Sequence, residues 1–156
     1  MNCARRALIA EGIPTEKIDV LELFSGSARW TKACQAIGLR AGPQVDSVYD
    51  GRWDLKVEKW RRLLWAVVVV CSPKWIHSGF PCTYWTPLSR WSVKSAVGDD
   101  LVKRQHALIF VILTCQLGHW QHGHGLHMSM ENPPASKSWK LEIMREMIAA
   151  VGDQYY

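Results

Sequence analysis

The sequence lacks the features that mark secreted and membrane proteins. Its five cysteines are odd in number and widely spaced, and no two of them form a Cys-x-x-Cys pair. This usage excludes a disulfide framework and favours a reducing compartment. The longest apolar run, Leu63–Cys71, is too short for a bilayer, which takes about 20 residues. No apolar segment typical of a secretory signal follows the arginines near the start. We therefore expect an intracellular protein, nuclear or cytoplasmic, with no membrane partner.

The sequence also has no internal repeat, no low-complexity tract and no excess of acidic residues. Nineteen Lys and Arg against fourteen Asp and Glu give a formal net charge of +5. That balance suits a polyanionic partner such as DNA or another nucleic acid, although many domains without such a partner share it. The length of 156 residues, 48% of them hydrophobic, predicts a single domain over residues 1–156 with a core at about 18–151.

Short apolar runs alternate along the chain with segments of helical periodicity. We predict strands at Ile18–Phe24, Ala41–Asp46, Trp75–Phe80 and Leu126–Met130. We predict helices from Ala28 to Ile37, at Val57–Val70, at Leu101–Leu117 with Asp99-Asp100 as its N-cap, and at Leu141–Val151. Val67–Val70 has strand propensity, but the i, i+3, i+4 spacing of its apolar neighbours favours a helix. The alternation predicts an α/β fold, with a mostly parallel sheet, helices on both faces and Ile18–Phe24 as a central strand.

Three unusual segments follow predicted strands, where α/β sheets bind their ligands. Leu21–Ala28 is a small-residue turn before a helix, which lets a ligand approach the backbone. Gly79–Thr86 places Cys82 directly after a proline, where it is available as a nucleophile. Met130–Pro134 places Glu131 before a rigid Asn-Pro-Pro turn. Each also has an ordinary explanation, namely a plain turn, a buried inert cysteine and a solvated glutamate.

Together, Leu-Phe-Ser-Gly-Ser, Pro-Cys and Glu-Asn-Pro resemble the motifs of the DNA cytosine-5 methyltransferase family over residues 18–139, most of the chain. The resemblance implies the three-layer Rossmann-like fold of S-adenosylmethionine-dependent methyltransferases, complete or truncated. Three departures stand out. The family usually has Phe-Ala-Gly-x-Gly-Gly in its first loop, a second proline before the cysteine and a valine after Glu-Asn, where this chain has Ser25, Ser27 and Ala28, then Phe80, then Pro133.

The resemblance also implies roles for seven residues. Cys82 would add as a thiolate to C6 of cytosine, which makes C5 a nucleophile for the methyl group. Glu131 would contact N3 and the exocyclic amine of the flipped base. The cofactor-binding residues implied are Phe24, Ser25 and Gly26 beneath the methionine portion of S-adenosylmethionine, Asp46 at the ribose hydroxyls and Asp54 near the adenine. For each aspartate, a plain surface position is an equal alternative.

In that family the chain continues past the glutamate motif with an Arg-containing motif, a target-recognition region and a segment that closes the cofactor site. This chain ends at Tyr156, so we expect no target-recognition domain. We expect the chain to be a fragment, a degenerate relative or a minimal core that needs a partner, and these three interpretations stay open. The isolated chain should bind cofactor weakly and show little or no sequence-specific DNA methylation. Two alternatives to an enzyme stay open, a non-catalytic methyltransferase-like binding module and a relic of a mobile or duplicated gene.

A histidine-rich segment separates the third predicted helix from the last strand. It contains His119, His122, His124 and His127, with His106 and Cys115 upstream. Imidazoles this close are ligands for zinc or copper. However, three glycines predict a flexible turn here, and structural sites usually draw ligands from two separate pieces of chain. We therefore interpret the segment as a solvated loop and expect no metal site.

Overall fold

A computed structural model describes residues 3–86 and 97–151 of the chain, which is α/β. The helices are α1 (Cys3–Ala10), α2 (Arg29–Ala36), α3 (Glu58–Cys71), α4 (Val97–Gly123) and α5 (Glu142–Val151). The strands are β1 (Val20–Leu23), β2 (Trp75–Ser78) and β3 (His127–Met130), and short 3-10 helices cover Gly51–Trp53 and Lys137–Lys140. Two compact units divide the chain, here called the amino-terminal unit (Met1–Ser78) and the carboxy-terminal unit (Gly79–Tyr156).

Strand β1 lies in the interior of the amino-terminal unit. It pairs in parallel with β2 along all four of its residues. On its other edge, Val20 and Leu23 form isolated parallel bridges to Ala41 and Val45. All four residues of β1 are buried, so both faces of the strand are covered, as is usual for a strand of a parallel sheet. The predicted parallel pairing of this strand is therefore confirmed. Its predicted central position is not, because the strand predicted at Ala41–Asp46 is reduced to these two bridges and β1 stands at the end of the strand order.

Helix α3 confirms that the valine run is helical. It begins and ends one residue later than predicted, and its C-cap residue Ser72 adopts a left-handed conformation with φ 48°. Its apolar face is buried and packs in part against α1, a helix that the sequence analysis did not predict. Leu8 of α1 is fully buried. Tertiary packing of an apolar face thus outweighs the strand propensity of Val67–Val70.

The start of α4 differs from the prediction. The helix already includes Val97, so Asp99 and Asp100 lie within it and are not its N-cap. Aspartate is favourable throughout the first turn of a helix, as well as at the cap, because of the helix dipole. An Asp-Asp pair therefore locates a helix start only to within a few residues. Although α4 has 27 residues, no helix in the described ranges combines the length and apolar character needed to cross a membrane.

The end of α4 also differs, because the predicted flexible turn is largely helical. The helix continues through His119 and His122 to Gly123. A Cβ atom on Gly118 would lie 2.9 Å from Sδ of Met147, a residue of α5. Glycine at this position therefore permits close packing between α4 and α5 and does not mark a turn.

A buried carboxylate joins β1 to α2. Glu22 is 8% exposed, and its Oε2 accepts hydrogen bonds from the backbone N–H of Thr31 at 2.9 Å and from the Thr31 hydroxyl at 2.5 Å. The N-cap residue of α2, Ala28, offers no side-chain acceptor. Glu22 therefore satisfies one of the N–H groups that a helix start leaves without a partner, and its charge suits the positive end of the helix.

Replacing Glu22 with alanine should destabilise the chain by about 2 kcal/mol, because two buried donors of Thr31 lose their acceptor. Urea unfolding followed by circular dichroism measures the change. The matched control is Glu58→Ala, since the Glu58–Arg62 ion pair is exposed on both sides and its loss should shift the midpoint much less. An equal loss in both variants would contradict the structural role given to Glu22.

Asp19, next to β1, joins three chain segments of the amino-terminal unit. Its Oδ1 lies 2.9 Å from Nζ of Lys74, and its Oδ2 accepts hydrogen bonds from the backbone N–H and the Nε of Arg40 at 3.0 and 3.2 Å. The hydrogen bond from Lys74, followed by those from Arg40, holds the pKa of Asp19 well below its usual range. The ionised form is thus stabilised in the folded state.

The stability supplied by Asp19 should depend on pH in a defined direction. A carboxyl whose pKa is lower in the folded chain stabilises the fold above its unfolded pKa of about 3.9, and this contribution is lost as the pH falls below that value. We expect the wild type to lose more stability than Asp19→Asn below about pH 4. The test is to measure the urea unfolding midpoint of both proteins at pH values above and below about 4. If the midpoints of the wild type and of Asp19→Asn fall in parallel with pH, the expectation is wrong.

Candidate active site

The carboxy-terminal unit contains an open cleft of about 480 Å³. The cleft is lined by Gly79–Thr83, which follows β2 in the chain, and by Glu131–Pro133, which follows β3. Cys82 and Glu131, the two residues predicted to carry the chemistry, therefore line the same cleft. Cys82 is a half-buried free thiol, and Glu131 is exposed. The arrangement offers a nucleophile and a carboxylate to one ligand.

Two close approaches join the walls of this cleft. Asn132 donates a hydrogen bond from Nδ2 to the carbonyl oxygen of Phe80 at 2.9 Å. A Cβ atom on Gly79 would lie 3.3 Å from Oε1 of Glu131, so any larger residue at 79 would press on this carboxylate. Sequence analysis did not single out Asn132. The feature of the sequence that could have identified Asn132 is its position directly after Glu131, at the end of a predicted strand.

The loop that carries Cys82 is closed by a turn. The backbone N–H of Trp85 donates to the carbonyl oxygen of Cys82 at 2.8 Å, and the carbonyl oxygen of Trp85 accepts from the N–H of Lys137 at 2.6 Å. Trp139 meets Phe80 edge to face, with ring centroids 6.4 Å apart. These contacts hold the backbone on both sides of Cys82 within the carboxy-terminal unit.

The residues predicted to bind the cofactor lie in the amino-terminal unit, and most of them meet at the turn after β1. The backbone N–H of Gly26 donates to Oδ2 of Asp46 at 2.9 Å, and Oδ1 of Asp46 accepts from the N–H of Val48 at 2.8 Å. The structure thus brings Asp46 to the predicted loop. Asp54 is placed differently, because its hydrogen bond and its ion pair are both with Lys56.

The backbone of this turn is strained and is also engaged by the chain itself, since the carbonyl oxygen of Gly26 accepts a hydrogen bond from Nε2 of Gln44 at 3.0 Å. Gly26 has φ 46°, and a Cβ there would meet nothing within 4 Å. Ser25 is 6% exposed, and its buried hydroxyl has no hydrogen-bond partner within residues 3–86 and 97–151. Phe24 and Ala28 adopt left-handed conformations with φ 57° and 52°. Such conformations are costly for residues other than glycine and concentrate at binding turns.

The histidines do not converge on one point. His119 and His122 lie on the last turns of α4 and are exposed, and His127 is exposed on β3. His124 stacks on Trp120 with ring centroids 4.0 Å apart, and its Nδ1 lies 2.8 Å from the Trp120 carbonyl oxygen. Within the ranges that the structure describes, no three His, Cys, Asp or Glu side chains are placed to hold a metal ion.

Zinc titration of the purified chain should therefore show no saturable site that depends on these histidines. The double variant His122→Ala, His124→Ala should give the same titration curve as the wild type, because one ring is exposed on a helix and the other is stacked on Trp120. Isothermal calorimetry makes the comparison. A stoichiometric heat in the wild type that the double variant loses would contradict this expectation.

The structure thus brings some of the predicted site residues together and leaves one of them apart. Cys82 and Glu131 share a cleft in the carboxy-terminal unit, and Phe24, Ser25, Gly26 and Asp46 share a turn in the amino-terminal unit, whereas Asp54 is engaged by Lys56. Comparison with protein-family models, with curated proteins and with solved structures finds no match to this chain.

Proposed function

We propose that this chain is a divergent DNA cytosine-5 methyltransferase-like domain, in which Cys82 is the nucleophile and Glu131 holds the base. The observation that carries the proposal is the cleft that both side chains line. The α/β composition and the parallel strands β1 and β2 are compatible with the Rossmann-like methyltransferase fold that the motifs imply. The net charge of +5 suits a nucleic-acid substrate.

The chemistry assigned to Cys82 answers a specific difficulty. C5 of cytosine is a poor nucleophile, and addition of a thiolate to C6 forms an S–C6 bond and moves a ring electron pair towards C5. After C5 has accepted its methyl group, loss of the C5 proton to a base and departure of the Cys82 thiolate restore the ring. Cys82 is half-buried and lines the cleft, so its sulfur is within reach of a bound base.

Glu131 supplies the contacts that orient the base. Its carboxyl group would hydrogen-bond N3 and the exocyclic amine and offset the charge that develops as C6 is attacked. A volume of about 480 Å³ lies within the range of small-ligand sites and accommodates one base. A side chain cannot reach the reacting atom of a base inside a duplex, so the target base would leave its stack, which costs least in single-stranded or distorted DNA.

S-adenosylmethionine would supply the methyl group. Phe24, Ser25 and Gly26 would lie beneath its methionine portion, where the absence of a side chain at Gly26 leaves space, and Asp46 would accept hydrogen bonds from its ribose hydroxyls. Both carboxylate oxygens of Asp46 already accept backbone N–H groups, from Gly26 and Val48. A ribose would share these oxygens and not gain a free carboxylate, so binding should be weak.

The occupied carboxylate of Asp46 also favours a second candidate, a methyltransferase-like module that binds ligands without turnover. In such a module the bonds from Gly26 and Val48 would serve only to shape the turn. The two candidates differ in whether methyl groups are transferred and in whether that transfer depends on Cys82, and both differences can be measured.

Calorimetry with S-adenosylmethionine should show weak, saturable binding that becomes detectable at millimolar cofactor. Transfer of tritiated methyl groups to duplex and single-stranded DNA should be low, and any incorporation should vanish in Cys82→Ser and fall strongly in Glu131→Gln. The matched control is Cys34→Ser, since Cys34 is also half-buried but lies in the amino-terminal unit.

The outcomes separate the candidates. Binding of the cofactor with incorporation that depends on Cys82 supports the proposed enzyme, and robust incorporation would establish a complete minimal one. Binding without any incorporation supports the module. No binding at millimolar cofactor overturns the methyltransferase proposal.

A further inference from the structure

The side-chain amide of Asn132 is unusual because only one of its ends is used. Its Nδ2 donates to the carbonyl oxygen of Phe80 at 2.9 Å. A carbonyl oxygen can only accept, so the NH₂ end must face Phe80 and the orientation of the amide is fixed. The Oδ1 end is then a buried acceptor with no hydrogen-bond partner in the described part of the chain.

One hydrogen bond made and one buried acceptor left without a partner mean that the free energy of folding alone does not explain why this residue is an asparagine. An intramolecular hydrogen bond gives a modest net gain, and a buried acceptor without a partner costs a similar amount or more. Leucine has a similar shape and no polar atoms, so it would remove both effects together. Replacing both polar ends by apolar groups of the same shape is often nearly neutral for folding.

The position of the bond suggests what the asparagine does. Phe80 lies two residues before Cys82, and Asn132 directly follows Glu131. Pro81 and Pro133, which also line the cleft, have no N–H group, so neither can donate a backbone hydrogen bond across it. A side-chain amide supplies the link that the backbone cannot make at these two positions.

We infer that Asn132 is a positioning residue, whose amide fixes the loop that carries Cys82 relative to the carboxylate of Glu131. The inference rests on the proposed function, because it explains how the two groups that we propose to act on the base are held in position in the same cleft. Two groups that must act on one base lose effect steeply when one of them moves, and a displacement of about 1 Å can reduce a rate about 100-fold. Asn132 acts through Cys82 and Glu131 and touches no reacting atom.

A charge-selective alkylation measures this geometry without any methyl transfer. Iodoacetamide is neutral and iodoacetate is an anion, and both alkylate a thiolate with release of iodide. A carboxylate beside Cys82 repels only the anion, so the ratio of the two rates reports how near Glu131 lies. Peptide mass spectrometry follows Cys82 alone, at one pH and low salt, where the effect is largest.

The wild-type ratio, iodoacetamide over iodoacetate, should exceed that of Glu131→Gln by about threefold or more. Asn132→Leu should lose at least half of this excess, while its thermal midpoint stays close to that of the wild type. Ser138→Ala is the matched control. It removes a buried hydrogen bond to Ser136 in the same unit without touching Phe80, and should keep the wild-type ratio. Asn132→Ala replaces the leucine variant if that variant does not fold.

The results distinguish the inference from the proposal on which it rests. An elevated wild-type ratio that falls in Asn132→Leu and not in Ser138→Ala supports the positioning role. An elevated ratio that Asn132→Leu leaves unchanged overturns the inference and leaves the proposed function standing. Equal ratios in the wild type and Glu131→Gln show that Glu131 is not close to Cys82, which overturns the shared site and the inference together.

Discussion

Burial of β1 on both of its faces is the constraint on which the amino-terminal unit depends. A parallel strand of this kind leaves no room for a solvated polar side chain, yet its third residue is Glu22. The carboxylate therefore needs donors inside the unit, and it finds them in Thr31 at the start of α2. This contact fixes where α2 begins relative to the strand. The turn between them, residues 24–28, is thereby held at both of its ends.

The carboxy-terminal unit meets a different constraint, because proline interrupts both segments that line its cleft. Pro81 and Pro133 fix their own φ angles and cannot donate backbone hydrogen bonds. The walls are joined instead by the side chain of Asn132 and by the backbone contact between Lys137 and Trp85. A cleft held by a few such bonds keeps a defined shape while its floor stays open to a ligand. As a consequence, the shape of the cleft depends on individual side chains such as that of Asn132.

Local periodicity predicted most of the helices and strands, but it did not predict which residues contact each other between distant parts of the chain. The i, i+3, i+4 spacing identified α3 against the strand propensity of its valines, because such spacing reports which face of a segment is buried. It could not identify the contact between Asn132 and Phe80, which are 52 residues apart. Gly118 shows the same limit, since the close approach of Met147 that explains it comes from another helix. The motifs located the candidate residues, and long-range packing decided which of them meet.

The turn after β1 gives an argument for a ligand that does not depend on motif similarity. Ala28 adopts φ 52°, a conformation that glycine takes freely and that costs other residues of order 1 kcal/mol or more. Such a conformation persists only where neighbouring contacts hold it. Here the contacts are the bond from Thr31 to Glu22 on one side and the bond from Gly26 to Asp46 on the other. The chain thus keeps a glycine-like conformation at Ala28, in the same turn as a buried hydroxyl of Ser25 that has no hydrogen-bond partner in residues 3–86 and 97–151. Strain of this kind concentrates at binding turns, and it therefore supports the cofactor-binding role that we propose for this turn.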